Sequence, residues 1–125
     1  MAFLHYTILK RRASFVRLSS QGKRFQGQDF ILQVLVQAME VSSFHPICTF
    51  GITCSRKVGG AVQRNLAKRR IRSVVLPWLK QKSFPYSIAF NVIARSSLVT
   101  RPFSTFEQNL LTVLDATFKK HDPQL

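Results

Sequence analysis

The chain has 125 residues, 46% of them hydrophobic, which is enough apolar material for one domain with a single core. Nineteen Lys and Arg against five Asp and Glu give a formal net charge of +14, which points to a polyanionic partner. No apolar run reaches the ~18 residues of a membrane-spanning helix, and the absence of a repeat excludes collagen-like and solenoid architectures. We therefore expect one domain over residues 1–125.

The first segment of the chain is basic and contains no acidic residue up to residue 28. It lacks both a charged region ahead of its apolar stretch and a small-residue cleavage site, so it is a poor secretory signal. Residues 10–20 instead predict a short basic helix, in which Phe15 and Leu18 form the apolar contact and Gly22 closes the last turn. A transit peptide is the second interpretation of these residues.

Alternating side chains predict three main strands, over residues 29–37, 47–54 and 86–95, with a loop at 38–46 between the first two. The predicted inward side chains are Phe30, Leu32, Val34, Val36, Cys48, Phe50, Ile52, Cys54, Ile88, Phe90, Val92 and Ala94. The opposite face of the second strand is small or polar.

Two further helices are predicted in the second half of the chain. After two consecutive glycines, apolar residues at helical spacing predict a helix that runs from residue 61 to about residue 76, where Pro77 weakens or kinks its end. A last helix begins at Ser104, with Glu107 as its partner in a capping box. The order of these elements indicates an α+β fold in which helices cover one sheet.

The positive charge is concentrated in two clusters. Residues 41–106 contain eleven Lys and Arg and no acid. Like charges on neighbouring helix turns repel by a few tenths of a kcal/mol, so uncompensated clusters indicate an anionic ligand such as phosphate. The first cluster is Lys10, Arg11, Arg12, Arg17, Lys23 and Arg24. The second is Arg56, Lys57, Arg64, Lys68, Arg69, Arg70 and Arg72.

The residues that could carry catalysis or a metal are scattered along the sequence. Three isolated His and five isolated acids form no nucleophile-base pair, paired carboxylates or zinc-ligand spacing, and no Walker-type phosphate loop is present. Cys48 and Cys54 share one predicted strand roughly 20 Å apart, beyond disulfide reach, which indicates two core thiols in a reducing compartment. We expect a binding protein with no metal site and no catalytic residue of its own.

The segment over residues 51–72, GITCSRKVGGAVQRNLAKRRIR, carries the most specific signal. It resembles the signature of the protein subunit of bacterial ribonuclease P, in which a Ser-Arg-Lys step and a Val-Gly-x-Ala-Val turn precede a helix with an Arg-Asn-Arg triplet. Including Ile93-Ala94-Arg95 and the closing helix, the resemblance covers residues 7–120. Leu66 replaces the third member of the triplet, and Arg70, on the same flank, is placed to substitute for its charge.

Two further departures from the family concern aromatic positions. Ser19 stands where many members carry a second aromatic residue in the first helix, and Gln33 stands where a strand aromatic often occurs. The resemblance implies an α+β fold with a mixed four-stranded sheet, three main strands and a short one, covered by three helices in the order αβββαβα.

In the family, an RNA with bound Mg²⁺ hydrolyses one phosphodiester of precursor tRNA and releases its 5′ leader, while the basic protein binds that RNA and the leader. The resemblance therefore implies a cytoplasmic, non-catalytic subunit of an endoribonuclease of tRNA processing, partnered by ribonuclease P RNA and precursor tRNA, without a membrane or an obligate protein partner. The RNA-binding residues implied are Arg56, Lys57, Arg64, Asn65, Lys68, Arg69 and Arg72. The leader-binding residues implied are Phe15, Arg17, Gln33 and Thr53. Packing of Phe15 against Leu18 and a solvated strand face at Thr53 are equal alternatives.

Two other classes of protein share this charge. A structural RNA-binding protein, such as a small ribosomal component, has similar size and composition but no effect on tRNA 5′ maturation. A membrane-surface or DNA-coating protein also uses cationic amphipathic helices. Neither class gives the Ser-Arg-Lys, Val-Gly-x-Ala-Val and Arg-Asn steps a role at this spacing.

Overall fold

The computed structural model describes residues 5–9, 12–37, 47–81 and 87–120, so the predicted loop at 38–46 and the cations Lys10 and Arg11 lie outside the described residues. In chain order the elements are β1 (His5–Ile8), α1 (Arg12–Gln21), β2 (Lys23–Gln26), β3 (Phe30–Gln37), β4 (Ile47–Thr53), α2 (Ala61–Lys80), β5 (Ser87–Ala94) and α3 (Phe103–Lys120). Short 3₁₀ turns form at Arg56–Val58 and Ser96–Val99.

The five strands form one mixed sheet in the order β1-β4-β5-β3-β2. β5 lies at the centre, parallel to β4 and antiparallel to β3. At the edges, β1 runs parallel to β4, and β2 runs antiparallel to β3. Parallel neighbours require a crossover connection, and α2 provides it between β4 and β5.

One face of the sheet packs against α2 and α3 and forms the main core. Phe50 and Phe90, on neighbouring strands, stack with ring centroids 5.0 Å apart. The indole of Trp78 from α2 packs 5.1 Å from the Phe118 ring of α3, and Phe106 meets Phe30 edge to face at 6.3 Å. The side chains predicted to point inward fill this core, apart from Val36, which is 41% exposed near the end of β3.

The other face of the sheet is only half covered. Leu18 of α1 is buried against Ala89 and packs with Leu35 at one end of the sheet. Towards the other end, Ile31 and Ile93 are paired in register and stay half-buried. α1 therefore leaves part of this face open.

The predicted α+β class, the three helices and the mixed sheet are confirmed, and the sheet has one strand more than expected. The additional strand is β1, which lies ahead of the basic helix predicted at residues 10–20, where the sequence predicted no element. His5–Ile8 pairs along β4, and the amide of Leu9 continues the pairing by donating to the Phe50 carbonyl at 2.7 Å. Only this tertiary partner, more than forty residues away in sequence, makes the segment a strand.

α2 continues beyond the predicted end at residue 76 and runs to Lys80, with Pro77 inside it. A proline at this position forfeits one backbone hydrogen bond. The next turn is held by packing, because Trp78 and Leu79 are buried in the core and Trp78 Nε1 donates to Asp115 Oδ1 at 2.8 Å. The expectation that Pro77 ends the helix was wrong because this burial outweighs the lost bond.

α3 begins one residue before the predicted start at Ser104. The predicted capping box between Ser104 and Glu107 was therefore wrong. The helix begins at Phe103, and the carbonyl of Pro102 accepts from the amides of Thr105 and Phe106, both at 3.1 Å. Ser104 therefore lies inside the first turn rather than at the cap. Glu107 lies one turn further along the helix.

The acid in the loop before β3 is neutralised inside the fold. Asp29 is fully buried, and its carboxylate accepts from Nε and Nη2 of Arg101 at 3.0–3.1 Å. A buried carboxylate needs such a partner. Asp29 therefore offers no compensation to the cations on the protein surface.

Candidate nucleic-acid interface

α2 separates its apolar and cationic side chains onto different faces. Ala67, Ile71 and Val75 are fully buried against the sheet. Arg64, Lys68 and Arg72 recur every fourth residue, which places them in one stripe along the helix; the first two are half-buried and Arg72 is exposed. We call these three residues the cation stripe. Asn65 and Arg69, beside it, are exposed.

The entry to α2 adds two cations to the same end of the molecule. Ser55 Oγ accepts from the amide of Lys57 at 3.3 Å and so begins the 3₁₀ turn that presents Arg56 and Lys57 to solvent. Gly59 then has φ of 141°, a conformation that disfavours any other residue. This glycine turns the chain from the 3₁₀ turn into α2, whose positive N-terminal end adds to the local field.

An open cleft lies between α1, the end of β4 and α2. Among the described residues, β1 pairs with β4 only as far as Phe50, and no described strand pairs with the last residues of β4 on that side. A Cβ at Gly51 would lie 2.9 Å from Leu9 Cβ and 3.0 Å from Phe15 Cε1, so only glycine lets α1 approach this closely. The cleft has a volume of about 450 Å³, and its lining residues are Arg12, Phe15, Ile52, Thr53, Cys54 and Lys68.

Behind Thr53, polar side chains continue into the sheet. Asn91 of β5 is paired in register with Gln33 of β3, and they are 2% and 4% exposed. Asn91 Nδ2 donates to Gln33 Oε1 at 3.2 Å and to Thr53 Oγ1 at 2.9 Å. Only Thr53 of the three lines the cleft, so Gln33 lies behind the surface that the sequence predicted it to form.

The two thiols differ in their surroundings, and both are free. Burial raises the pKa of the Cys48 thiol from 9.0 to about 12. Burial also raises the pKa of Cys54, but the positive charges of Lys68, Arg64 and Arg72 act in the opposite direction. The cation stripe is therefore close enough to act on a side chain of the cleft, and stripe and cleft form one continuous surface.

The predicted site residues thus fall into separate groups. The α2 residues and the 3₁₀ turn provide the cations, while Phe15, Thr53 and Lys68 meet in the cleft. Arg17 does not line this cleft; it is exposed, and its Nε donates to Gln21 Oε1 at 3.3 Å along α1. Sequence reasoning missed Asn91, although a polar residue in the apolar strand SIAFNVIA was a signal for it.

Arg70 is engaged with the protein, so it is not free to replace the charge missing at Leu66. Its Nη1 donates to the carbonyls of Leu98 and Arg101 at 3.0 and 2.8 Å. The guanidinium carbon lies 6.0 Å from the Phe103 ring centroid, within the range of a cation–π contact. Arg70 therefore ties α2 to the segment before α3.

Within the described part of the chain, no three His, Cys, Asp or Glu side chains come together as metal ligands. No described residue of the cation stripe has a carboxylate within ion-pair distance. None of the described helices is long and apolar enough to span a bilayer. The cation stripe suits binding of a polyanion. The cleft, which is lined by the ring of Phe15, suits stacking of a flat aromatic group such as an unpaired base.

Comparison with known proteins gives a consistent result. The family model for ribonuclease P matches residues 3–117. The ribonuclease P protein component of Helicobacter acinonychis is 33% identical over 120 residues, covering 87% of this chain and 76% of the relative. That of Streptococcus pneumoniae is 33% identical over 106 residues, covering 85% of this chain and 80% of the relative.

Solved structures agree with the sequence relatives. The RNase P protein of Staphylococcus aureus superimposes with a TM-score of 0.70 at 26% identity, covering 88% of this chain and 94% of that one. The RNase P protein of Thermotoga maritima gives 0.69 at 26% identity, covering 86% and 94%. The shared sequence signature and the shared fold extend over most of the chain, and the protein therefore belongs to the ribonuclease P protein component family.

Proposed function

We propose that this protein binds the catalytic RNA of ribonuclease P through α2 and the 5′ leader of precursor tRNA in the cleft, and so promotes Mg²⁺-dependent removal of the leader. Membership of the family makes it a component of ribonuclease P, an endoribonuclease of tRNA processing, and implies association with ribonuclease P RNA. The proposal depends mainly on one observation: among the described residues, the cation stripe has no carboxylate partner, and it lies beside an open cleft lined by the aromatic ring of Phe15.

The RNA-binding surface gains its affinity from phosphate. Each cation that neutralises a phosphate releases counterions, so affinity falls linearly with the logarithm of salt concentration. The arginines of this surface hold a phosphate through two parallel hydrogen bonds, whereas Lys57 and Lys68 act as point charges. We assign to this surface Arg56, Lys57, Arg64, Asn65, Lys68, Arg69 and Arg72.

The leader-binding surface needs little sequence preference, because a ribonuclease P subunit meets many leaders. A base stacked on Phe15 contributes about 1–3 kcal/mol whatever its identity. Thr53 also lines the cleft, and Lys68 joins the cleft to the RNA-binding surface. Gln33 acts from behind Thr53, and Arg17 meets phosphates on the outer side of α1.

In this proposal the protein supplies no catalytic residue. When bound in the holoenzyme, Mg²⁺ would supply charge stabilisation for phosphodiester hydrolysis. The described protein residues contain no cluster of metal ligands, and we assign the metal to the RNA. The protein's side chains bind and orient the leader and the RNA. The two free thiols support our placement of the protein in the cytoplasm.

The test is cleavage of precursor tRNA by the cognate ribonuclease P RNA at low Mg²⁺, with and without the protein, on substrates with and without a leader. We expect strong stimulation that depends on the leader. Stimulation should fall in Lys68→Gln and persist in Lys80→Gln, a matched control because Lys80 is exposed at the far end of the same helix. Equal activity with and without protein, with RNA that is active at high Mg²⁺, would leave only a structural RNA-binding protein.

A further inference from the structure

The outer flank of α2 carries exposed apolar side chains. Val62 is 77% exposed, and Leu66, on the next turn, is half-buried and outside the core. Arg70 follows one turn after Leu66, so these three side chains lie along one side of the helix. Phe103, the first residue of α3, lies against the Arg70 guanidinium and is 38% exposed. We call Val62, Leu66 and Phe103 the apolar patch.

Phe103 is held in place while part of its ring remains open to solvent. Among the described residues it is the only phenylalanine that is exposed. Its ring packs against the fully buried Phe106, with ring centroids 6.3 Å apart. The guanidinium carbon of Arg70 lies 6.0 Å from the Phe103 centroid, and two backbone carbonyls fix that guanidinium. A ring held in this way loses little conformational freedom when a flat group stacks on its open part.

The surroundings of the apolar patch indicate an anionic partner. Leu66 and the exposed Arg69 are neighbours on the helix surface, and so are Val62 and the exposed Asn65. Phe103 stands at the N-terminal end of α3, where the helix dipole is positive. A second copy of this chain is a poor partner, because two chains of net charge +14 repel each other. A partner that covers the patch therefore brings negative charge with it.

A nucleotide combines the two properties that this surface requires, a flat aromatic group and a negative charge. Bases inside a duplex are covered by their neighbours, so a base that stacks on a side chain must be unpaired. We propose that Phe103 stacks on an unpaired base of ribonuclease P RNA, and that Leu66 and Val62 contact apolar parts of the adjoining nucleotides. The RNA-binding surface thus extends from α2 to the first turn of α3. This inference rests on the proposed function, because Asn65 and Arg69 bring the RNA to the patch.

Titration of ribonuclease P RNA at several salt concentrations tests the inference with the full chain. Stacking releases no counterions, so its loss weakens binding by the same factor at every salt concentration. We expect Phe103→Leu to bind about tenfold more weakly than the wild type with an unchanged salt slope, and Phe103→Tyr, which keeps a ring, to stay within about twofold. Val16→Ala is the matched control, because Val16 is an exposed apolar residue on α1 and should also stay within about twofold.

Single abasic substitutions at the unpaired nucleotides of the RNA identify the stacked base. One of these RNAs should bind the wild-type protein about tenfold more weakly than intact RNA does, and should bind Phe103→Leu no more weakly than intact RNA does. Circular dichroism sets the temperature of the titration, at which every variant is folded.

Four results would overturn the inference. The first is an affinity of Phe103→Leu within about twofold of the wild type. The second is a lower salt slope in Phe103→Leu, which would show that the change displaced α2 and removed phosphate contacts. The third is equal weakening in Phe103→Leu and Phe103→Tyr, and the fourth is that no abasic RNA distinguishes the wild type from Phe103→Leu. If Lys68→Gln leaves RNA binding unchanged at every salt concentration, the proposed function itself fails, which separates the two outcomes.

Discussion

Two arginines on α2, two residues apart, are expected to respond in opposite ways to the loss of their charge. Arg72 is exposed on the cation stripe, whereas Arg70 points towards the segment before α3. We compare Arg70→Gln with Arg72→Gln, because both changes remove one charge and keep a good helix former. Formal net charge falls equally in the two variants, so any difference between them reports on position.

The structure sets the size of each effect. Arg70 loses two charge-assisted hydrogen bonds, to the carbonyls of Leu98 and Arg101, and a contact with the Phe103 ring. For a partly buried group these amount to about 2 kcal/mol of unfolding free energy, or roughly 8 °C in Tm for a domain of this size. Arg72→Gln should stay within about 0.5 kcal/mol of the wild type, as for most surface substitutions.

RNA binding should show the reverse order. Losing one phosphate contact lowers the slope of log affinity against log salt by roughly 0.7–0.9, so the affinity ratio between wild type and Arg72→Gln changes about threefold between 50 and 200 mM salt. Arg70→Gln should keep the wild-type slope at temperatures where it is folded. The assays are thermal unfolding by circular dichroism and titration of ribonuclease P RNA at several salt concentrations.

The reasoning is refuted if Arg70→Gln lowers the salt slope without lowering Tm, because Arg70 would then face RNA and not the Leu98 carbonyl. It is equally refuted if Arg72→Gln lowers Tm by several degrees and leaves the slope unchanged.

The surroundings of four other side chains or glycines give further predictions, for Leu66, Gly27, Cys54 and Cys48. Leu66→Arg should be tolerated with Tm nearly unchanged, since Leu66 is half-buried and outside the core, and should raise the salt slope of RNA binding by roughly 0.7–0.9. Gly27→Ala should cost about 3 kcal/mol in urea unfolding, because the new Cβ would lie 2.2–2.6 Å from atoms of the buried Phe30 ring; wild-type stability would contradict this. Iodoacetamide should modify Cys54 and spare Cys48 in the folded protein, as mass spectrometry can show, with ribonuclease P RNA slowing the reaction at Cys54. The raised pKa of Cys48 keeps its thiol protonated in the folded state, whereas the thiol of the unfolded state ionises above pH 9.0. The free energy of unfolding therefore falls as pH rises towards 12. Between pH 8 and 10, the free energy of unfolding of a Cys48→Val variant should fall by about 1.4 kcal/mol less than that of the wild type.

The sequence was most informative where local pattern and tertiary structure agree. β3, β4 and β5 have alternating side chains, one face of each packs into the core, and the cationic edge of α2 follows from helical spacing alone. Such elements carry their burial pattern in a short window of residues. The cation stripe is therefore predictable from the sequence, whereas the hydrogen bonds of Arg70 to Leu98 and Arg101 are not.

Features that depend on a distant partner could not be predicted. β1 is a strand only because it pairs with β4, and α2 continues past Pro77 because Trp78 and Leu79 are buried in the core and Trp78 bonds to Asp115 on α3. The hydrogen bonds of Asn91 likewise depend on Gln33 and Thr53, and the three residues lie on three different strands. Propensity is a weak guide wherever such contacts decide the conformation.

The central position of β5 has a consequence for how the chain folds. β3 and β4 do not pair with each other; each pairs with β5, which is the last strand to be synthesised. During translation the two strands must wait, unpaired along those edges, until residues 87–94 arrive. Non-local pairing of this kind makes folding slow and exposes strand edges. A chain that ends before residue 87 lacks the central strand, so the sheet can be completed only after β5 has been synthesised.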